Sequence, residues 1–79
     1  MSNHIPDLLY TALEHKAQAN IDEAEATIEI YFNNSVGIGE HPQHLNEMNK
    51  LLDTIATNED RLTTLTKFFS SYDEGRGNI

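Results

Sequence analysis

Apolar residues occur on two opposite sides of the first predicted helix, which spans residues 6–33. At roughly 100° per residue, one side carries the inner stripe: Tyr10, Leu13, Ala17, Ile21, Ala24, Ile28, Tyr31 and Phe32. The opposite side carries a second set, here called the outer stripe: Leu8, Ala12, Ala19, Ala26 and Ile30. A helix at the edge of a small monomer needs only one such stripe. The outer stripe therefore predicts that this helix packs on both sides, and its small alanines favour close contact with a helix of another subunit.

Residues that favour helix ends set the bounds of this helix and of the loop after it. Pro6 suits a first helical position, and Asp7 places a negative charge in the first turn, where the helix dipole favours it. Gly37 and Gly39 open a turn, and Pro42 restarts a helix. These signals predict a loop at residues 34–41, with its apolar residues packed on the end of the helix pair.

The second predicted helix, residues 42–72, carries apolar residues in a seven-residue repeat. Its members are Leu45, Met48, Leu52, Ile55, Leu62, Leu65, Phe69 and Tyr72. Such a repeat predicts left-handed supercoiling against a partner. Thr57 or Asn58 would cap a new helix if the chain broke within residues 56–60. Because the repeat keeps its phase across this segment, we favour one bent helix over two, followed by a frayed tail at 73–79.

Two long helices joined by a short loop predict an all-α fold, an antiparallel helical hairpin. Two helices cannot enclose a core, so the hairpin needs a third layer, which a second copy would supply most simply. We therefore expect a homo-oligomer, a dimer or higher, that forms a helical bundle. The inner stripe and the repeat of the second helix would fill its interior, and the outer stripe would face a neighbour.

Composition limits the size of the core and the kinds of partner. The 79 residues include no cysteine, so neither disulfides nor thiolate zinc sites stabilise this single domain, and oligomerisation is the usual remedy for so small a scaffold. Thirteen acidic and five basic residues give a net charge of −8, which disfavours direct binding to nucleic acid or to anionic membranes. No apolar stretch approaches the about 18 residues needed to span a bilayer, and the N-terminus lacks a signal-peptide pattern. We therefore expect a cytoplasmic protein.

Five carboxylates lie within about 80° of one another on the first helix, between its two apolar stripes. This acidic ribbon consists of Asp7, Glu14, Asp22, Glu25 and Glu29. A ribbon of this kind is most often a solvated helix face. The functional alternatives are mimicry of a nucleic-acid phosphate backbone, docking of a basic partner, and metal ligation.

Candidates for other chemistry are few. His41, His44 and Glu47 are metal ligands in kind, but His44-x-x-Glu47 reverses the Glu-x-x-His order of metal-binding helical bundles. Polar histidines at a helix start are the simpler interpretation.

Gly39 is followed by Glu40, which would repel phosphate, and no serine has an evident basic partner. The sequence therefore predicts no enzyme, no cofactor and no resident metal. Aromatic residues at helical spacing are typical of a core. Phe68 is the exception, because it lies off the main stripe and is a candidate for a second contact.

The central part of the chain resembles a group of phage proteins. The run YFNNSVGIGEHPQHL at residues 31–45, continued by MNKLLD at 48–53, is similar to small helical proteins of T4-like marine cyanophages and their metagenomic relatives. The resemblance covers about the middle half of the chain. It implies a phage gene product that works in the bacterial host cytoplasm or in the virion, and it supplies no site residues.

Three functions are compatible with these patterns. The leading hypothesis is a non-enzymatic helical interaction module that self-associates. The first alternative is a DNA mimic or host-protein inhibitor that binds a basic host or phage protein through the acidic ribbon. The second alternative is a metal-binding helical oligomer that uses His41, His44 and Glu47.

Overall fold

The chain folds into two long helices that pack side by side as an antiparallel hairpin, as the sequence predicts. The computed structural model describes residues 4–34 and 42–73. Helix α1 spans His4–Asn33 and helix α2 spans Pro42–Phe69, followed by a short 3₁₀ turn at Ser70–Tyr72. Within these two ranges there is no β-strand. Asn20 contacts Asn58 at mid-length, and Tyr31 contacts His44 near the loop end. The prediction of an all-α helical hairpin is therefore confirmed.

Helix α1 begins two residues earlier than the pattern indicates, at His4 rather than at Pro6. Proline is tolerated in a first turn because the N–H groups there have no partner within the helix. At the other end, both the backbone N–H and the side-chain Nδ2 of Asn34 donate to the Ile30 carbonyl at 3.0 Å. The predicted turn at Gly37 and Gly39 and its flanking apolar residues lie outside the described residues.

Helix α2 is continuous through residues 56–60, so the chain takes the unbroken alternative. Asn58 does not cap a new helix, because its Nδ2 donates to the Thr54 carbonyl one turn earlier, at 2.7 Å. The α-helix ends at Phe69, three residues before the predicted end. The last turn tightens to 3₁₀ geometry, with the Asp73 N–H donating to the Ser70 carbonyl at 3.0 Å.

The core is small and is formed by the inner stripe of α1. Its buried apolar members are Tyr10, Ala17, Ile21, Ala24 and Ile28. Two of the five are alanines, which let the backbones of two packed helices come close together. Leu13 and Phe32, at the two edges of the predicted stripe, remain more than half exposed. The hairpin therefore covers the middle of the inner stripe and leaves its edges open.

The face of α2 that turns toward α1 keeps four members of the predicted repeat, Met48, Ile55, Leu62 and Leu65, and departs from it at Leu45, Leu52, Phe69 and Tyr72, which are exposed. Leu45 and Leu52 are 59% and 54% exposed, because each lies about 100° around the helix from the side chain that is covered in its place. The covered or half-covered positions still repeat every seven residues. The repeat consists of His44, Met48, Leu51, Ile55, Asn58, Leu62 and Leu65, and Thr54 and Thr66 are half-covered beside it. A polar residue, Asn58, thus occupies the place where the apolar repeat shows a gap between Ile55 and Leu62.

The hairpin is a rod rather than a sphere. Its dimensions are 60 × 20 × 18 Å and its radius of gyration is 17.2 Å, whereas a compact chain of this length has a radius of about 12 Å. Neither described helix is long and apolar enough to cross a lipid bilayer. Most side chains of such a thin rod are accessible to solvent, so the candidate sites lie on the exposed surfaces of the two helices.

Candidate functional site

Large apolar side chains are concentrated at the open end of the hairpin, where α1 begins and α2 ends. Within residues 4–34 and 42–73, eleven such side chains are at least 45% exposed. Seven of them form what we call the open-end patch: Ile5, Leu8, Leu9, Leu13, Phe68, Phe69 and Tyr72. The antiparallel topology brings the first turns of α1 beside the last turns of α2, so that Leu9, Leu13, Phe69 and Tyr72 line one groove, whereas Leu8 lies on the side of α1 that faces away from α2. Isolated exposed apolar residues are ordinary, but a contiguous set marks a contact surface.

A groove between the two helices runs from the open end to the middle of one side of the hairpin. Its three sections share lining residues and are therefore continuous. The end section, about 280 Å³, is lined by Pro6, Leu9, Tyr10, Leu13, Leu65, Phe69 and Tyr72. The central section, about 510 Å³, adds polar and charged residues, among them Lys16, Asn20, Asn58 and Arg61. We call this side of the hairpin the groove face.

A polar cluster forms the centre of the groove face. Asn20 Nδ2 donates to Asn58 Oδ1 at 3.0 Å, and Arg61 Nη1 reaches the same oxygen at 3.4 Å. Asn58 is only 3% exposed. With its Nδ2 bound to the Thr54 carbonyl, both ends of its amide are satisfied, as a buried polar group requires. The cluster fixes one residue of α1 opposite one residue of α2.

The hydroxyl of Tyr10 is buried in the wall of the same groove. Tyr10 is 3% exposed, and its Oη has no hydrogen-bond partner among the residues that the structure describes. An unpaired buried hydroxyl is unfavourable, because it gives up water without a replacement.

The outer stripe lies on the side of α1 that faces away from α2. Its five residues are all exposed, with Leu8 at 61% and Ile30 at 60%. The hairpin therefore uses none of them for its own packing. Their role as a subunit interface stays a prediction.

The acidic ribbon also faces solvent over most of its length. Asp22, Glu25 and Glu29 are exposed, while Asp7 and Glu14 are half-buried. Asp22 accepts a hydrogen bond from Gln18 Nε2 at 3.0 Å. Over residues 4–34 and 42–73 the ion pair found is Lys50–Glu47, at 3.2 Å on the surface of α2, so no ribbon carboxylate is neutralised by a salt bridge there.

The predicted metal ligands are engaged in other contacts where they are described. The ring of His44 packs against Tyr31, with centroids 5.5 Å apart and planes tilted by 56°. Glu47 pairs with Lys50, and His41 lies outside the described residues. The described part of the chain contains no group of three or more potential metal-ligating side chains.

Sequence reasoning missed the groove and its polar centre. Leu9 belongs to neither predicted stripe, and Asn20, Asn58 and Arg61 were not selected as site residues. One signal was available, since the repeat of α2 has a seven-residue gap between Ile55 and Leu62, and Asn58 lies three residues into it. Asparagine at a core position of a helical pair is a known device that sets register and oligomeric state.

Comparison with known proteins adds no relative. No protein-family model, no curated protein and no solved structure matches the chain. The resemblance to cyanophage proteins therefore stays a hypothesis.

Proposed function

We propose that this protein is a non-enzymatic helical interaction module that self-associates. The observation that carries the proposal is the imbalance between buried and exposed apolar side chains. Among the residues that the structure describes, five apolar residues are buried, two of them alanines, whereas eleven large apolar side chains remain at least 45% exposed. Covering a large apolar side chain contributes about 1.5–3 kcal/mol, so association has a strong driving force.

The hairpin has few other sources of stability, which also supports self-association. It lacks cysteine, and the ion pair Lys50–Glu47 is exposed and therefore contributes little. Small scaffolds in this position are commonly stabilised by a second subunit. The outer stripe and the groove face are the two surfaces that would accept one.

Unfolding at different protein concentrations tests this proposal. If folding is coupled to assembly, the thermal midpoint rises with protein concentration, because mass action stabilises only the assembled state. We expect a rise of several degrees between low and high micromolar chain. A midpoint that stays constant over this range, with full helical circular dichroism, would contradict the proposal. Ala19→Glu, on the outer stripe, shows whether that stripe takes part, because a buried charge there would lower the midpoint.

A second function, capture of a basic partner by the acidic ribbon, is favoured by the exposure of Asp22, Glu25 and Glu29 without ion pairs in the described residues. Exposed charges steer partners and give complexes that weaken as salt rises. A pulldown from bacterial lysate, the host that the phage resemblance implies, would compare low and high salt.

The matched variants for this pulldown remove equal charge from two places. Glu25→Gln/Glu29→Gln changes the ribbon, and Glu23→Gln/Glu59→Gln changes exposed carboxylates outside it. Ribbon binding predicts that a basic protein is lost with the first variant and retained with the second. Equal retention by both variants would exclude the ribbon as the binding surface.

A further inference from the structure

The groove face offers a larger apolar contact than the outer stripe that the sequence indicates. The middle of the outer stripe consists of Ala12, Ala19 and Ala26, each of which covers little area. The groove instead presents Leu9, Leu13, Phe69 and Tyr72, which are 45–59% exposed around a concave floor. When two helix pairs meet with their apolar grooves facing each other, the groove side chains of both pairs fill the interior of a four-helix bundle.

The accessible surface of the chain has room for a standard subunit interface. A compact monomer of 8.9 kDa exposes about 4,800 Å², whereas this chain exposes 6103 Å². The excess, about 1,300 Å², is larger than the roughly 800 Å² that each partner buries in a standard interface. Burying about 800 Å² against one further copy would remove more than half of this excess.

Charge also favours a second copy on this face. The chain has a net charge of −8, so two copies repel each other on most approaches. The charged residues that line the groove are Lys16, Arg61, Asp53 and Asp60, and these cancel. Two of the five basic residues of the chain are thus in the groove, while the acidic ribbon is carried on another side of α1.

We infer that two copies of this chain pack groove face against groove face to form a four-helix bundle. This inference rests on the proposed self-association and specifies its surface. A two-fold contact presents the same patch from both copies. The groove is apolar mainly in its open-end section. The apolar side chains of both copies are therefore buried only if the two open-end sections pack against each other. Leu9 and Leu13 of one copy then lie near Leu9 and Leu13 of the other.

Single cysteines test this arrangement, since the natural chain has none. Leu9→Cys and Leu13→Cys place a thiol in the groove face, and Ala19→Cys places a matched thiol on the outer stripe. Each variant is treated with a short bismaleimide at low micromolar concentration and analysed on a denaturing gel. The expected result is covalent dimer for at least one groove variant and at least tenfold less for Ala19→Cys. Equal cross-linking at both surfaces would show no preference for the groove and would overturn this arrangement.

The remaining outcomes separate this inference from the proposal on which it rests. Cross-linking at Ala19→Cys alone, or at no position while the concentration-dependent midpoint persists, would overturn the groove arrangement and leave self-association standing. No cross-linking together with a constant midpoint would overturn both.

Leu13→Glu gives an independent readout. It should raise the dissociation constant at least tenfold while circular dichroism at high concentration retains the helices, and an unchanged constant would overturn the groove contact.

Discussion

Asn20 and Asn58 are 38 positions apart in sequence and are joined side chain to side chain at 3.0 Å in the middle of the hairpin. Their pairing fixes the longitudinal register of the two helices, because a shift by one turn would leave both amides without this partner. Buried polar pairs of this kind set register at some cost in stability.

The Asn pair gives a double-mutant prediction. Asn58→Ala leaves Asn20 without its acceptor and removes the bond to the Thr54 carbonyl, so we expect a loss of about 1–3 kcal/mol in the free energy of unfolding. Asn20→Leu/Asn58→Leu replaces both partners by apolar groups and should recover most of that loss. Urea denaturation at one fixed protein concentration measures both values. A double variant that is less stable than Asn58→Ala would show that the pair does more than set register.

The observed register of α2 can be tested with two adjacent leucines. Leu51 is half-buried toward α1, while Leu52 is more than half exposed. We expect Leu51→Ala to lower the free energy of unfolding by about 2 kcal/mol or more, and Leu52→Ala by less than about 1 kcal/mol. If Leu52→Ala lowered the free energy of unfolding more than Leu51→Ala, then Leu52 rather than Leu51 would face α1, as the repeat in the sequence predicts.

Tyr10→Phe tests the unpaired hydroxyl in the groove wall. Removal of a buried hydroxyl that has no partner among the described residues abolishes an uncompensated loss of hydration while the ring keeps its packing. The free energy of unfolding should therefore rise by about 1 kcal/mol, measured by urea denaturation. A decrease would mean that the hydroxyl has an acceptor in the assembled protein.

Salt distinguishes an apolar interface from an ionic one. Because the groove lining is neutral and the chain carries −8, added salt should screen repulsion between copies and leave the contact intact. We expect the dissociation constant of the homo-oligomer to fall severalfold between about 0.05 and about 0.5 M NaCl, where the screening length shortens to a few ångströms. A constant that rises instead would indicate ion pairs between subunits.

The sequence was sufficient for the helices and the buried part of the inner stripe, because these follow from helix-end residues and from local periodicity. It was insufficient for the face of α2: the pattern counted only apolar residues and so passed over His44, and it could not separate the adjacent leucines Leu51 and Leu52 by local periodicity. The position of α2 against α1 depends on contacts between distant residues, above all Asn20 with Asn58. The groove was missed for the same reason, because it exists only once two helices lie side by side.

Sedimentation equilibrium of the unmodified chain at micromolar concentration tests the central claim most directly. Self-association predicts a mass of twice the 8.9 kDa chain or a higher multiple, together with full helical circular dichroism. A single well-folded species of 8.9 kDa across the micromolar range would contradict it.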